Sequence, residues 1–188
     1  MAPHCTACGA ALPSRPPVRC DACGVPQWRN AKPCAGVLVT DGEGRLLLLR
    51  RAIEPWRGRW DIPGGFCDAD EHPVATAARE AREETGFEVE VTGFLGMWLD
   101  RYPDPSDVDH PETTLNAYYH ATAGAEVGPP DEAETTELGW FAPDALPPEI
   151  AFPNHAGAVL AAWRAAVREG RTVTPLPDRP TGGATASG

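Results

Sequence analysis

Lysine is all but missing from this chain. Of its 16 basic residues, 15 are arginine and one is Lys32; they face 27 acidic residues, leaving a formal net charge of −11. A protein that grips nucleic-acid backbones or anionic membranes without specificity needs a basic face, and this balance argues against both classes. An anionic substrate would need a cation to bridge it to such a surface. Long apolar runs are also absent. Stretches such as Leu46 to Leu49 fall far short of the ~20 residues a membrane-spanning helix requires. The start, Met1-Ala2-Pro3-His4-Cys5, shows no basic segment leading into an apolar one. No export signal is therefore expected, and the cytoplasm is the expected location. What the chain does have is a 42% hydrophobic content over 188 residues. That suffices for one ordinary domain with a small appendage.

Proline, glycine and periodicity divide the chain into three expected parts: a loop-rich segment 1–30, a folded domain 31–170, and a tail 171–188 too rich in Pro, Gly, Ser and Thr to order itself. Within the domain, Ala35 to Thr40 reads as a buried strand. Asp41-Gly42-Glu43-Gly44 reads as a turn, and Arg45 to Arg50 as the hairpin partner. Trp60 to Ile62 is a short strand entering Pro63-Gly64-Gly65. Pro73 to Thr85 is a helix with proline in its first turn and Gly86 as its stop. Val89 to Leu99, Thr113 to Ala121 and Glu137 to Phe141 read as further strands. Asn154 to Arg168 is a second helix closed by Gly170. Many strands and two helices distant in sequence predict an α+β fold, an α/β/α sandwich around a mixed sheet.

Four of the six cysteines form two Cys-x-x-Cys pairs, Cys5 with Cys8 and Cys20 with Cys23, eleven residues apart. Each pair is followed by glycine. Such turns aim two thiolates at one cation, and two turns complete a tetrahedral site of the closed, structural kind. Without an export signal, metal is favoured over disulfide. The expectation is a small zinc ribbon that folds around its ion and performs no chemistry. Cys34 reads as a small core residue, and Cys67 is given no role.

The segment from Gly65 to Phe87 carries the most information: Gly65-x5-Glu71-x7-Arg79-Glu80-Ala81-Arg82-Glu83-Glu84-Thr85-Gly86-Phe87. At about 100° per residue, Glu80, Glu83 and Glu84 share an arc of roughly 100° on one helix face. Val74, Ala77, Ala78 and Ala81 form the adjoining face, small enough to press closely on a sheet. Three crowded carboxylates repel one another and are costly to desolvate. An oxygen-rich set of this kind suits Mg²⁺ or Mn²⁺, which also bind substrate phosphates. Arg79 should point away from that rim by about 100° and reach back to Glu71. Gly64 and Gly65 allow the backbone to approach the same cation.

This pattern resembles the Nudix box, Gly-x5-Glu-x7-Arg-Glu-U-x-Glu-Glu-x-Gly-U, where U is apolar. All seven named residues match, and the resemblance extends from about Lys32 to about Arg168. Ala81 is smaller than the usual first U, and Phe87 fills the second. The resemblance implies Glu80, Glu83 and Glu84 as ligands of catalytic Mg²⁺ or Mn²⁺, with the Gly65 carbonyl assisting. Gly65, Glu71, Arg79 and Gly86 become the structural positions of the motif. Glu80, Glu83 or a loop carboxylate activates the attacking water. Glu134 is the loop candidate, as a metal ligand or as the base, and Glu137 its competitor. The implied reaction is hydrolysis of a diphosphate linkage in a nucleotide-like molecule.

A zinc ribbon ahead of this box resembles two groups of the family. NADH pyrophosphatases carry a Ser-Gln-Pro-Trp-Pro-Phe-like motif, which Leu99 to Pro105 lacks. Ribbon-bearing enzymes acting on ADP-ribose or FAD are similar around Trp28 to Pro33 and Phe152 to Glu169, and are favoured. NADH or dinucleoside-polyphosphate hydrolysis is the alternative. Phe66, Trp98, Tyr102, Tyr118 and Tyr119 are candidates for base stacking, and Arg50, Arg51, Arg57 and Arg59 for phosphate contact. Arg51, Phe66, Trp98 and Tyr118 head that set of substrate-binding candidates. The acidic loop Asp100 to Glu112 reads as a solvated surface loop, with a lid or dimer contact as the alternative. A small-molecule nucleotide partner is expected, membrane and nucleic acid are not, and homodimerisation follows from the family alone. From another class stands a non-catalytic nucleotide-sensing regulator that uses the ribbon to contact DNA or a partner.

Overall fold

A computed structural model describes residues 3–102 and 112–169 of the chain. It divides into two compact units, Met1–Ala31 and the remainder from Lys32 onward. The tail 171–188, Gly170 and most of the acidic loop lie outside the described residues. Among the described residues, no helix is long and apolar enough to cross a membrane.

The first unit holds two tight turns. Gly9 N–H donates to the Cys5 carbonyl (2.9 Å), and Gly24 N–H to the Cys20 carbonyl (2.8 Å). Both glycines sit at positive φ, 73° and 74°, a conformation that other residues adopt only under strain. Strands β1 (Val18–Arg19) and β2 (Pro26–Gln27) pair antiparallel across the second turn. Cys5, Leu12 and Cys20 form the small core, with Val18 packed on it.

The second unit is built on a mixed seven-stranded sheet. Its strands are β3 (Lys32–Thr40), β4 (Leu46–Arg51), β5 (Trp60–Asp61), β6 (Gly64–Phe66), β7 (Phe87–Tyr102), β8 (Glu112–Glu126) and β9 (Thr135–Phe141). The path runs β5-β4-β3-β8-β7, with β6 added to β3 and β9 to β4. β3 and β8 pair in parallel, from Lys32 opposite Thr114 to Thr40 opposite Thr122. The other pairings are antiparallel.

Side chains on β3 alternate between two cores, which explains its unbroken apolar run. Ala35, Val37 and Val39 join Ala77 and Ala81 of helix α1 (Pro73–Thr85). Leu38 joins Val159, Leu160 and Trp163 of helix α2 (Pro153–Glu169) on the other face. The expected α/β/α sandwich is therefore present. Each of those fully buried α2 side chains contributes about 1.5–3 kcal/mol by leaving water.

Several boundaries differ from expectation. The sequence suggests no strand beyond Trp60 to Ile62 here, yet Gly64, Gly65 and Phe66 form one, pairing with Gly36, Ala35 and Cys34. A Cβ on Gly64 would lie 2.5 Å from the Ala35 carbonyl oxygen, so glycine here permits strand contact and does not break it. β7 begins immediately after Gly86 and runs to Tyr102, longer than Val89 to Leu99, with three bulges along it. Those bulges disturb the alternation from which strand length was read.

Candidate active site

Helix α1 begins at His72, whose Nδ1 accepts the Val74 N–H (3.3 Å), with Pro73 in its first turn. It ends at Gly86, which has φ 75° and donates its N–H to the Arg82 carbonyl (2.9 Å). The Gly86 carbonyl accepts the Val127 N–H (2.8 Å). Only glycine satisfies both the conformation and the close approach of Gly128. The helix is thus fixed at both ends, and Ala77 and Ala81, wholly buried, bring it close to the sheet.

Along the motif, Glu84 is buried, and its Oε2 accepts the N–H of Gly64 (2.8 Å). Burial pushes its carboxyl well above the usual range, helped by the charges of Asp61, Glu80 and Glu134 and opposed by that N–H. Glu80 is half-buried, and burial also raises its carboxyl, with Arg79 opposing and Glu83 and Glu134 reinforcing the rise. Gly65 sits so close to the Glu80 carboxylate that a Cβ there would overlap it. Glu83 is exposed.

Arg79 departs from the helical-wheel expectation. Its Nε and Nη2 hold Glu71 (3.0 and 2.9 Å) as anticipated. Its Nη1, however, turns back to Glu80 Oε1 (3.0 Å) and Glu83 Oε2 (2.9 Å). A long arginine side chain spans the angular gap that Cα directions alone leave open. One guanidinium therefore clamps the loop residue Glu71 to two of the three rim carboxylates. Glu71 is completed by Thr76 Oγ1 (2.7 Å) and the Asp68 N–H (3.3 Å).

A cavity of about 460 Å³ opens over this helix. Gly64, Gly65, Arg79, Glu80, Glu84 and Glu134 line it, and Glu83 does not. Glu134 belongs to a loop pinned at two points: the Asp131 N–H donates to the Glu83 carbonyl (2.9 Å), and the Ala52 N–H to the Glu134 carbonyl (2.7 Å). Glu137 points elsewhere and pairs with Arg50 (3.1 Å).

The substrate-binding candidates separate as follows. Phe66, Arg51 and Tyr118 line the cavity; Trp98 does not and packs edge-on against Tyr118 (5.8 Å) beside the α2 core. Arg51 is nearly buried and holds Asp61 (2.9 Å) and the Pro55 carbonyl (2.8 Å). It therefore braces the wall as well as facing the cavity. Tyr118 is buried, and its hydroxyl is kept protonated by burial and by Asp61, Cys34 and Asp100. Tyr119 lies in the α1 core. Arg59 stacks on Trp56 (4.9 Å).

Sequence reasoning missed the Phe152 contribution. Backbone bonds between Trp60 and residues Glu149 and Ala151 tie the approach to α2 onto β5. Phe152 then meets Tyr102 (5.8 Å, rings 30° apart), and Tyr102 meets Phe66 (5.7 Å). Its signal was only one aromatic before a helix, with nothing local to place it. Asp61, Thr114 and Asn116, also cavity-lining, sit on strands where polar residues read as solvent-facing; Asp100, expected to open a solvated loop, instead lies buried near the end of β7 and lines the cavity.

In the first unit the four thiols converge. Cys5 and Cys23 sulfurs are 3.7 Å apart, as are those of Cys8 and Cys20. All four lie within 4.8 Å of one another, the only such grouping among the described residues. The set can hold a metal ion. The rim carboxylates are not drawn together to that degree.

A family model for the NUDIX domain matches residues 31–163. The chain is 33% identical over 117 residues to a MutT-like protein of Streptomyces ambofaciens, covering 62% of this chain and 67% of that protein. It is 31% identical over 147 residues to the NAD-capped RNA hydrolase NudC of Pseudomonas aeruginosa, covering 77% of this chain and 49% of the relative. The chain thus spans about half the length of NudC. A crystal structure of a Nudix hydrolase from Nitrosomonas europaea superposes with a TM-score of 0.70 at 25% identity, covering 93% of this chain and 96% of that one. With the motif, the sandwich and the family match in agreement, this chain belongs to the Nudix hydrolase family.

Proposed function

We propose that the chain hydrolyses a diphosphate linkage in a nucleoside diphosphate derivative of the ADP-ribose or FAD type, using Mg²⁺ or Mn²⁺. The observation that carries this reading is the convergence of Glu80, Glu84 and Glu134 on one cavity beside the backbone of Gly64 and Gly65. The donor set consists of oxygens alone, and burial has already made two of its carboxylates costly to ionise. A hard divalent cation answers both conditions. Glu80, Glu84 and the Gly65 carbonyl would hold it, with Glu83 joining by leaving Arg79. When bound, it supplies neutralisation of charge developing on the phosphate oxygens.

The residues of the chain do the rest. Glu134 is the favoured base, with Glu80 and Glu83 behind it: it takes a proton from water as the water oxygen bonds to phosphorus and the bridging P–O bond breaks. Arg79 keeps the rim carboxylates in place, and Arg51 and Phe66 face the substrate. In the first unit, Cys5, Cys8, Cys20 and Cys23 would hold zinc. A tetrahedron with arms of about 2.3 Å has edges of about 3.8 Å, close to the 3.7 Å sulfur separations. Cytoplasmic location and homodimerisation complete the proposal.

A second reading, hydrolysis of an NAD-type diphosphate, is favoured by the likeness to NudC. One experiment addresses both. Purified protein with Mg²⁺ or Mn²⁺ is incubated with ADP-ribose, FAD, NAD, NADH, diadenosine polyphosphates and nucleoside triphosphates, and products are resolved by chromatography against Glu84→Gln. Turnover of one compound by the wild type alone supports the assignment. Absence of turnover with the fold intact would overturn it in favour of a binding regulator.

A further inference from the structure

The Nudix box leaves the residues between Glu71 and Arg79 unspecified, and one of them, Thr76, makes a contact that the box does not account for. On the wheel of α1, Thr76 lies within about 40° of Glu80 and Glu83, about one turn ahead of the first and two ahead of the second. It is wholly buried. Its N–H makes the ordinary helical bond to the His72 carbonyl (3.1 Å). A threonine hydroxyl inside a helix commonly donates to the carbonyl one turn back. Thr85 of the same helix does so, to Ala81. The Thr76 hydroxyl instead leaves the helix and donates to Glu71 Oε2 (2.7 Å).

That contact is shorter than the others on the same carboxylate. Arg79 Nη2 (2.9 Å) and the Asp68 N–H (3.3 Å) also donate to Oε2, and Arg79 Nε (3.0 Å) donates to Oε1. The terminal torsion of a glutamate is soft, so an arginine fork alone leaves carboxylate and guanidinium free to pivot together. A donor carried on a buried helical backbone stops that pivot. The guanidinium is rigid and planar, so the plane in which Glu71 is held also decides where Arg79 Nη1 points. It points at Glu80 (3.0 Å) and Glu83 (2.9 Å).

We propose that Thr76 is a positioning residue for the carboxylate rim. Its hydroxyl holds Glu71, Glu71 aims Arg79, and Arg79 keeps Glu80 and Glu83 where a divalent cation can gather them with Glu84. This role rests on the reading of the rim as the metal site. A threonine that only filled the space between loop and helix would make the opposite demand on its side chain, methyl rather than hydroxyl.

The test is a Mn²⁺ titration of the full chain, followed by the paramagnetic resonance signal of the free ion, for wild type, Thr76→Ser, Thr76→Val and Thr76→Ala. Serine keeps the hydroxyl and gives up a methyl; valine does the reverse at nearly unchanged volume. Serine is expected within about twofold of wild-type affinity, and valine and alanine about three- to tenfold weaker, at or below the loss usual for a residue that touches a metal ligand directly. In steady-state kinetics the Mg²⁺ concentration for half-maximal rate should rise by the same factor in Thr76→Val, while the substrate KM at saturating Mg²⁺ stays within about twofold. Equal affinity in all four proteins, serine as weak as alanine, or valine binding more tightly than serine overturns the role of Thr76. Serine and alanine leave nearly the same space and differ in the hydroxyl, so their comparison decides the matter even if valine does not fit. A wild type that binds no Mn²⁺ at millimolar concentration overturns the metal reading and this role with it. Mn²⁺ binding that is indifferent to the hydroxyl removes this role alone.

Discussion

Changing Glu71 to glutamine removes the carboxylate through which Arg79 anchors the loop ahead of α1, at nearly unchanged volume. The Arg79 guanidinium, then Thr76 and the Asp68 N–H, lower the Glu71 carboxyl from 4.5 to about 2. A depressed carboxyl contributes stability that is complete above its unfolded value and is lost as pH falls toward its folded value. The window here runs from about pH 4.5 down to about 2. At 1.36 kcal/mol per pH unit the ceiling is roughly 3.4 kcal/mol. Glu71 and Arg79 retain 17% and 30% side-chain exposure, so solvent screening reduces the expectation to about 1–2 kcal/mol. Urea unfolding of wild type and Glu71→Gln, followed by tryptophan fluorescence at a series of pH values, should show midpoints about 0.5–1 M apart at pH 7. The curves should converge as the pH approaches about 2.5. Because other carboxylates titrate in both proteins, the difference isolates Glu71. A gap that stays constant with pH, or is absent at neutrality, would refute the assignment of this stability to the Glu71–Arg79 charge pair.

Glu84→Gln should cut turnover by about a hundredfold or more, yet raise the metal-free melting temperature by about 2–6 °C, since it removes a buried carboxylate but keeps an acceptor for the Gly64 N–H; a scanning calorimeter and the activity assay read the two effects. Glu134→Gln is expected to lower kcat by about 10²–10⁴-fold and Glu137→Gln to change it by less than about twofold, because Glu137 pairs with Arg50 outside the cavity; steady-state kinetics on one substrate decides between them. Elemental analysis should find one zinc per chain in the wild type and none in Cys8→Ser, and a strong chelator should unfold the first unit without altering the Nudix domain's circular dichroism.

Fixed spacing made the helix α1 and its carboxylates legible in the sequence, since both follow from residues a few turns apart. Its apolar face and both of its ends were readable for the same reason. Two features were not. Glu80, Glu83 and Glu84 read as one equivalent rim, but Glu80 and Glu84 turn into the cavity while Glu83, held by the same Arg79 nitrogen as Glu80, stays exposed outside it; how far each carboxylate is covered by the sheet is a tertiary fact. The cavity wall is the other. Asp100, Asn116 and Phe152 come from segments that meet only through the parallel pairing of β3 with β8, the β7–β8 hairpin and the attachment of the α2 approach to β5. Trp98 illustrates the same limit. Strand alternation puts it on the correct face, but Tyr118 and the α2 core claim it before any ligand can.

The hydrogen bond from Gly64 to Glu84 joins the glycine strand to the helix, and the Arg79 clamp adds the intervening loop. Everything proposed for the chemistry except Glu134 therefore belongs to one continuous, self-braced stretch between Gly64 and Glu84. Apart from Phe66 and Asp68, the residues that line the rest of the cavity are held mostly by other strands and by the approach to α2, on separate parts of the chain. Substitutions among them can alter what is bound without disturbing how it is cut. Such a division lets a lineage change diet while keeping its teeth.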